Sequence, residues 1–288
     1  MKTGKLSEKA LLVQFKEGRI PGSKGDRDLD TLVAKALNLS EDDAKRVASS
    51  SKKLYPKEAL LDINHEFTEA RKYHNSVTVP YNYRGSSLLM TKIYPTYITR
   101  MNTFKTNIGE KLKVFKTKLE EYKAEQKALS PVYKESDYPT PEELNEIVKF
   151  EIIPDPISTT DHFVLQDLHD DQITEIKEAS ERASNEKLEE GMKKIYKRVY
   201  DVVKSMAVTL KDQEKTKFHE TLVGNVQEMV ELLPLLNITE DPKLEDLRTD
   251  LKIYLSTYET KVLKSNKMIR DTVAQDADRI AREIEAFM

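Results

Sequence analysis

Residues 170–211 read DDQITEIKEASERASNEKLEEGMKKIYKRVYDVVKSMAVTLK, and the reading of this stretch decides the fold class. Leu188, Met192, Ile195, Val199, Val202 and Met206 recur in steps of three and four, which places them on one face of a long helix. The first half carries a thinner seam, Ile173, Ile176, Ala179 and Ala183, set among acidic residues. At about 1.5 Å per residue such a helix spans roughly 60 Å. It cannot stand alone in water, so another element has to cover its seam.

Two further seams are of comparable length. Ile93, Tyr97, Met101, Phe104, Ile108, Leu112, Phe115, Leu119 and Tyr122 predict one helix over 93–129, the expected antiparallel partner of the first. From Leu244 to Phe287, Leu247, Leu251, Tyr254, Tyr258, Val262, Ile269, Val273, Ala277, Ile280 and Ile284 predict a third, bent at 264–267 where the pattern falters. The expected fold is therefore mainly α, an elongated antiparallel helical bundle or coiled coil, with a small antiparallel β element at one end. We expect a single elongated domain over 1–288 in four regions: short elements in 1–90, a long helix in 91–130, a Pro-containing linker with the β element in 131–168, and long helices in 169–288.

Shorter signals fill the gaps. Ala10–Phe15 reads as a strand, as do 149–153 and 162–165, and these three form the expected sheet. Short helices are expected over 28–37, after Ser40 with Asp43 as a capping pair, from Pro56 to about residue 75, and over 218–233. The run Thr140-Pro141-Glu142-Glu143 combines a cap, a first-turn proline and a glutamate that reaches back, and Asp241-Pro242 restarts a helix. Residues 77–90, VTVPYNYRGSSLLM, read as a loop rich in aromatic and apolar side chains.

Composition narrows the function classes. Charged residues make up 34%, with Lys+Arg 47 against Asp+Glu 50 and only 8 Gly, which favours helices over a sheet-rich fold. The net charge of -3 argues against a dedicated nucleic-acid coat. Without cysteine there is no disulfide, thiolate zinc site or Cys nucleophile. The first residues hold too short an apolar run for a signal peptide, and no stretch approaches a membrane span, so the expected compartment is the cytoplasm. No cofactor is expected.

Motifs for chemistry are weak. Gly22-Ser23-Lys24-Gly25 lacks the spacing of a phosphate loop, and neither a G-x-S-x-G nor an H-E-x-x-H occurs. His65 and His74, nine apart, fall on opposite faces of one helix, and His162 and His169 with Asp161, Asp167, Asp170 and Asp171 match no known ligand spacing. Two places interleave basic and aromatic residues. Lys193, Lys194, Lys197 and Arg198 form a candidate nucleic-acid stripe, although Ile195 and Val199 between them belong to the buried seam. Tyr81, Tyr83, Arg84 and Gly85 form a candidate docking surface on the 77–90 loop.

The runs EARKYHNSVTVPYNYRGSSLLMTKIYPTYITRM (69–101), SDYPTPEEL with FEIIPDP, and ETLVGNVQEMVELLPLLNITEDPKLEDLR resemble an uncharacterised family of bacterial and tailed-phage proteins, catalogued as a domain of unknown function. The likeness covers about residues 15–248. Genes of that family often sit beside a MoxR-type AAA+ ATPase and a von Willebrand A-domain protein. The resemblance implies a non-catalytic adaptor or accessory subunit of an ATPase-driven remodelling complex, with an AAA+ protein as partner. Apolar seams left partly uncovered favour self-association, so a homo-oligomer is a further expectation. It supplies no catalytic residues. Arg71, Tyr73, His74, Gly85 and Pro95 enter as shared structural or docking positions. The alternative is a nucleic-acid-associated phage protein that uses the basic stripe.

Overall fold

The computed structural model describes residues 3–40, 42–43, 50–157, 169–211 and 220–288. The chain is mainly α with a small antiparallel sheet. Its elements in order are α1 (Thr3–Lys9), β1 (Ala10–Gly18), β2 (Ser23–Gly25), α2 (Arg27–Ala36), β3 (Ser51–Lys53), α3 (Leu61–Val77), β4 (Val79–Tyr83) and β5 (Ser86–Met90). There follow α4 (Tyr94–Thr117), α5 (Leu119–Leu129), α6 (Glu143–Ile147), β6 (Lys149–Asp155), α7 (Asp170–Lys211), α8 (Thr221–Leu236), α9 (Pro242–Asp250), a π-helical turn (Leu251–Leu255), α10 (Thr260–Ser265) and α11 (Lys267–Glu285). Strand order is β4-β5-β1-β6, and β2 with β3 form a separate two-stranded ribbon. The chain divides into two compact units, one of Met1–Gln14, His74–Thr96 and Ile153–Met288, the other of Phe15–Tyr73 and Tyr97–Ile152.

The first unit is organised on α7. Leu188, Met192, Ile195, Tyr196, Val199, Val203, Met206, Ala207 and Leu210 are buried on one face. Val203, not Val202, carries the seam at that level, because an unstrained helix advances by 3.6 residues per turn and drifts off a strict heptad. The contacts Tyr196–Phe287, Tyr200–Glu285 and Lys211–Asp278 show that α11 runs antiparallel to α7. The helix expected as partner, 93–129, belongs from Tyr97 onward to the second unit. Full burial of one such aliphatic side chain stabilises by about 1.5–3 kcal/mol, so the seam from Leu188 to Leu210 holds this half of α7 in place. From Asp170 to Glu186 no residue is buried. That half persists as an extension of a helix nucleated by the packed half, with Asp170 and Asp171 at its positive end.

Residues 79–90 form a β-hairpin rather than a loop, and Val77 ends α3. Val79 and Tyr81 of β4 are buried, and Pro80 between them is tolerated because β4 is an edge strand that need not donate there. The proline masks the period of two. Val79 pairs with Leu88 and Tyr83 with Ser86, leaving Arg84 and Gly85 as a two-residue turn with φ of 50° and 76°. Two positive φ values in succession are the signature of a turn whose twist matches the strands. The helix α7 crosses this hairpin at Gly191, where a Cβ would collide with the Pro80 carbonyl oxygen and lie 3.0 Å from Val79 Cγ1. The C-terminal seam is interrupted at the π turn and again at Asn266, which caps α11 by accepting from the Ile269 amide. Asp241 caps α9 with Pro242 in its first turn, as its sequence predicts.

In the second unit α4 buries Tyr97, Met101, Phe104, Ile108, Leu112 and Phe115, the expected face. The helix stops at Lys118, where φ and ψ are −100° and 1°. The Thr117 hydroxyl bonds back to the Val114 carbonyl, and the Lys118 amide bonds to Phe115. Thr140 and Glu143 form the reciprocal capping pair at 3.2 and 2.8 Å. Helix α3 begins at Leu61, later than Pro56 predicts. The strand expected over 162–165 lies outside the described residues.

A buried cation ties distant parts of this unit. Lys52 Nζ sits 2.5 Å from Asp26 Oδ2 and 2.5 Å from Asp137 Oδ2, and it donates to the Val132 carbonyl at 2.6 Å. Asp26 also caps α2 through the amides of Asp28 and Leu29, and Lys24 reaches Asp137. The Lys52 hydrogen bond first, and the backbone amides after it, hold Asp26 below the usual carboxylate value. The hydrogen bonds from Lys24 and Lys52 do the same to Asp137. Burial works against the Lys52 ammonium, yet its bonds to Asp137 and Asp26 outweigh it and raise the pKa. Depressed carboxylates stabilise above their ordinary 3.8 and lose that contribution as pH falls through the folded values. A raised lysine stabilises below its ordinary 10.5 and loses that contribution as pH rises through the folded value.

Three substitutions test these contacts by urea denaturation. Gly191→Ala should lose about 1–3 kcal/mol through the collision with Pro80. Gly109→Ala, where a Cβ meets nothing within 4 Å, should gain about 0.5–1 kcal/mol. Lys52→Met should lose about 3–5 kcal/mol at neutral pH, because two buried carboxylates are left without their cation. Moving that variant from about pH 7 to about pH 5 should restore part of the loss, since its carboxylates then gain by protonation.

Candidate functional site

Seven of the eight candidate docking residues, all but Pro95, fall in two groups. In the second unit Arg71 lies over the Phe15 ring at 4.3 Å and reaches Glu17, while Tyr73 stacks on Tyr97 with centroids 6.0 Å apart. In the first unit His74 and Tyr81 are buried. Tyr83, Arg84 and Gly85 form the exposed tip of the β4–β5 hairpin. Lys187 of α7 covers the Tyr83 ring at 4.8 Å, Arg84 stands beside it at 5.3 Å, and Gln14 Nε2 donates to the Arg84 carbonyl at 2.5 Å. The tip is thus a fixed tyrosine between two cations, and the exposed members of the predicted set converge there.

The basic stripe is partly neutralised. Lys194 pairs with Glu190 at 2.7 Å and Lys197 with Asp201 at 2.6 Å, each one turn away. Arg198 turns inward to the Ser76 carbonyl at 3.2 Å, and burial pulls its guanidinium below the usual value. Lys193 is exposed and makes no ion pair among the described residues. Among the described residues no group of three or more His, Asp or Glu is placed to hold a metal ion, and no helix is long and apolar enough to cross a membrane. His162 lies outside the described residues.

Lys193 instead opens onto a groove that the sequence does not announce. Its floor is Leu188 and Met192 of α7 with Phe287, its wall is Tyr196, and Lys243 of α9 closes one side, enclosing about 540 Å³. The segment between α8 and α9 sets the wall. Asn237 and Asp241 exchange two hydrogen bonds, 2.8 and 3.0 Å, across a turn in which Glu240 holds φ of 54° and pairs with Lys9. This fixes Asp241 so that Oδ1 accepts the Lys243 amide at 3.0 Å and Oδ2 accepts the Tyr196 hydroxyl at 2.7 Å. Burial first, and the Asp241 carboxylate second, push the Tyr196 hydroxyl well above its ordinary value. The Lys243 ammonium stands 4.7 Å over the Phe287 ring. A second hollow of about 340 Å³ lies beyond the same three side chains, backed by Leu247 and Ile284.

No family model, curated protein or solved structure matches the chain. The sequence places Tyr196 in a basic run and Phe287 at the end of a seam, but their meeting depends on the antiparallel pairing of α7 and α11. One signal was available: Asp241 followed by Pro242 marks a rigid cap beside a charged residue. Tyr196→Phe should cost roughly 1–3 kcal/mol of stability, because Asp241 loses a charge-assisted hydrogen bond in a half-closed setting, and chemical denaturation measures it.

Proposed function

We propose that this chain is a non-catalytic interaction protein, bacterial or phage in origin, working in the cytoplasm as an adaptor or accessory subunit of a MoxR-type AAA+ ATPase. The observation that carries the interaction reading is the first half of α7. Residues 170–186 continue a packed helix while burying no side chain. They carry six carboxylates, at 170, 171, 175, 178, 181 and 186, against Lys177 and Arg182. A helix that repays little of its ordering by burial in its own chain gives area to another molecule. The ATPase as partner rests on the family resemblance of 69–101 and 220–248.

A nucleic-acid reading has less support, since the i,i+4 pairs of Lys194 and Lys197 cancel much of the stripe. It would require DNA binding that falls steeply with salt and disappears on reversing Lys193, Lys194, Lys197 and Arg198.

Two measurements test the adaptor reading. Hydrogen exchange on the isolated chain should show residues 170–186 exchanging faster than 188–206, and the difference should shrink in complex with the partner. Affinity purification from the native host, with and without ATP, should recover an AAA+ ATPase. Recovery of none, with no such gene adjacent, ends the assignment.

A further inference from the structure

We infer that the exposed half of α7 docks antiparallel on α4 of a second copy of this chain, through matched rows of charge. The inference rests on the reading of residues 170–186 as a docking element and names its occupant. Both rows follow from helix phase. At about 100° per residue, Glu175, Glu178, Arg182 and Glu186 fall in one row along α7, and all four are exposed. They make no ion pair among the described residues. On α4, Lys105, Gly109, Lys113 and Lys116 fall in one row by the same rule, beside the face that the helix buries. Lys105 and Lys113 are exposed, Gly109 and Lys116 half-buried.

The rows match in spacing and in sign. From Glu186 back to Glu178 is eight residues and on to Glu175 is three, while from Lys105 to Lys113 is eight and on to Lys116 is three. Laid antiparallel, Glu186 meets Lys105, Glu178 meets Lys113 and Glu175 meets Lys116, along about 16 Å of helix. Run parallel, the spacings fall out of step. Arg182, the one cation of the acidic row, then falls opposite Gly109, where a Cβ would meet nothing within 4 Å, and beside the Glu110 carboxylate. Lys113 pairs with Glu110 at 2.9 Å, an exposed contact of the weak kind, so it exchanges partner at little cost. Lys116 donates to a neutral acceptor, Asn145 Oδ1, at 2.6 Å and keeps its charge uncompensated. Glu66 and Glu120 are already held by Lys111 and Lys123. Two acidic halves of α7 would repel each other, so α4 is the favoured seat. A contact of this length falls short of the roughly 800 Å² a side of a standard interface, which makes the association weak and salt-dependent.

Sedimentation equilibrium of the full chain at rising concentration tests the pairing. The association constant should fall at least about tenfold between about 0.05 M and about 0.5 M salt, as screening shortens the reach of exposed charges. Glu175→Lys/Glu178→Lys/Glu186→Lys and Lys105→Glu/Lys113→Glu/Lys116→Glu should each be monomeric alone and should associate again when mixed. Circular dichroism checks that both fold. If either does not, carbodiimide crosslinking of the wild-type chain, with one copy isotope-labelled, should still join Glu186 to Lys105 and Glu175 to Lys116 between copies. A wild-type chain that stays monomeric in low salt, association that survives high salt, or two folded variants that do not recombine overturns the inference. A monomeric chain whose residues 170–186 are still protected by a recovered ATPase overturns it and leaves the adaptor reading in place. Charge-dependent self-association with no ATPase recovered does the reverse.

Discussion

The first unit depends on burial of one face of α7 from Leu188 to Leu210, and this burial is possible because α7 can approach β4 closely. Gly191 supplies the approach. A side chain at that point would push the helix away from the hairpin and uncover Val79, Tyr81 and Leu188 together. Val199, Val203 and Met206, further along the same face, are fully buried in that core. The second unit is held differently. There an ionic pin, Lys52 between Asp26 and Asp137, draws together segments about 25, 52 and 132–137, beside the edge-on contact of Tyr55 with Tyr138. Burial gives non-directional cohesion, and the pin gives a single geometry.

The elements legible in the sequence were those whose signal is local. The limits of α7, the inward face of α4 and the caps at Thr140 and Asp241 all follow from residues within one or two turns of each other. What could not be read was non-local. The period-two pattern of β4 was hidden by Pro80, which a strand accepts only at an edge, and edges are set by topology. The partner of α7 could not be chosen because seams of similar length offer the same apolar face. The seam from Ile93 to Tyr122 runs through a helix break at Lys118, where the Thr117 hydroxyl bonds the Val114 carbonyl in place of a backbone amide.

The candidate site divides in the same way. Tyr83, Arg84 and Gly85 stand out as an aromatic and basic run, and they do reach the surface together. Arg71, Tyr73, His74 and Tyr81 look identical in one dimension, yet their side chains pack within the fold. The groove beside Tyr196 has no linear signature, since Lys193 of α7, Lys243 of α9 and Phe287 are brought together across about a hundred residues by the packing of the first unit.

Continuity of α7 through Leu188 has a geometric consequence. Each residue of an α-helix advances about 1.5 Å and turns about 100°, so the exposed acidic half is phase-locked to the packed half. The direction in which Glu175, Glu178 and Arg182 point is thereby set by how Met192 and Ile195 sit in the core. The helix acts as a rigid ruler as well as a surface. One inserted residue near Lys187 would swing every carboxylate by about 100°, whereas seven would extend the reach by about 10 Å while nearly restoring the original face. Evolutionary change in this stretch is thus constrained in register more than in composition.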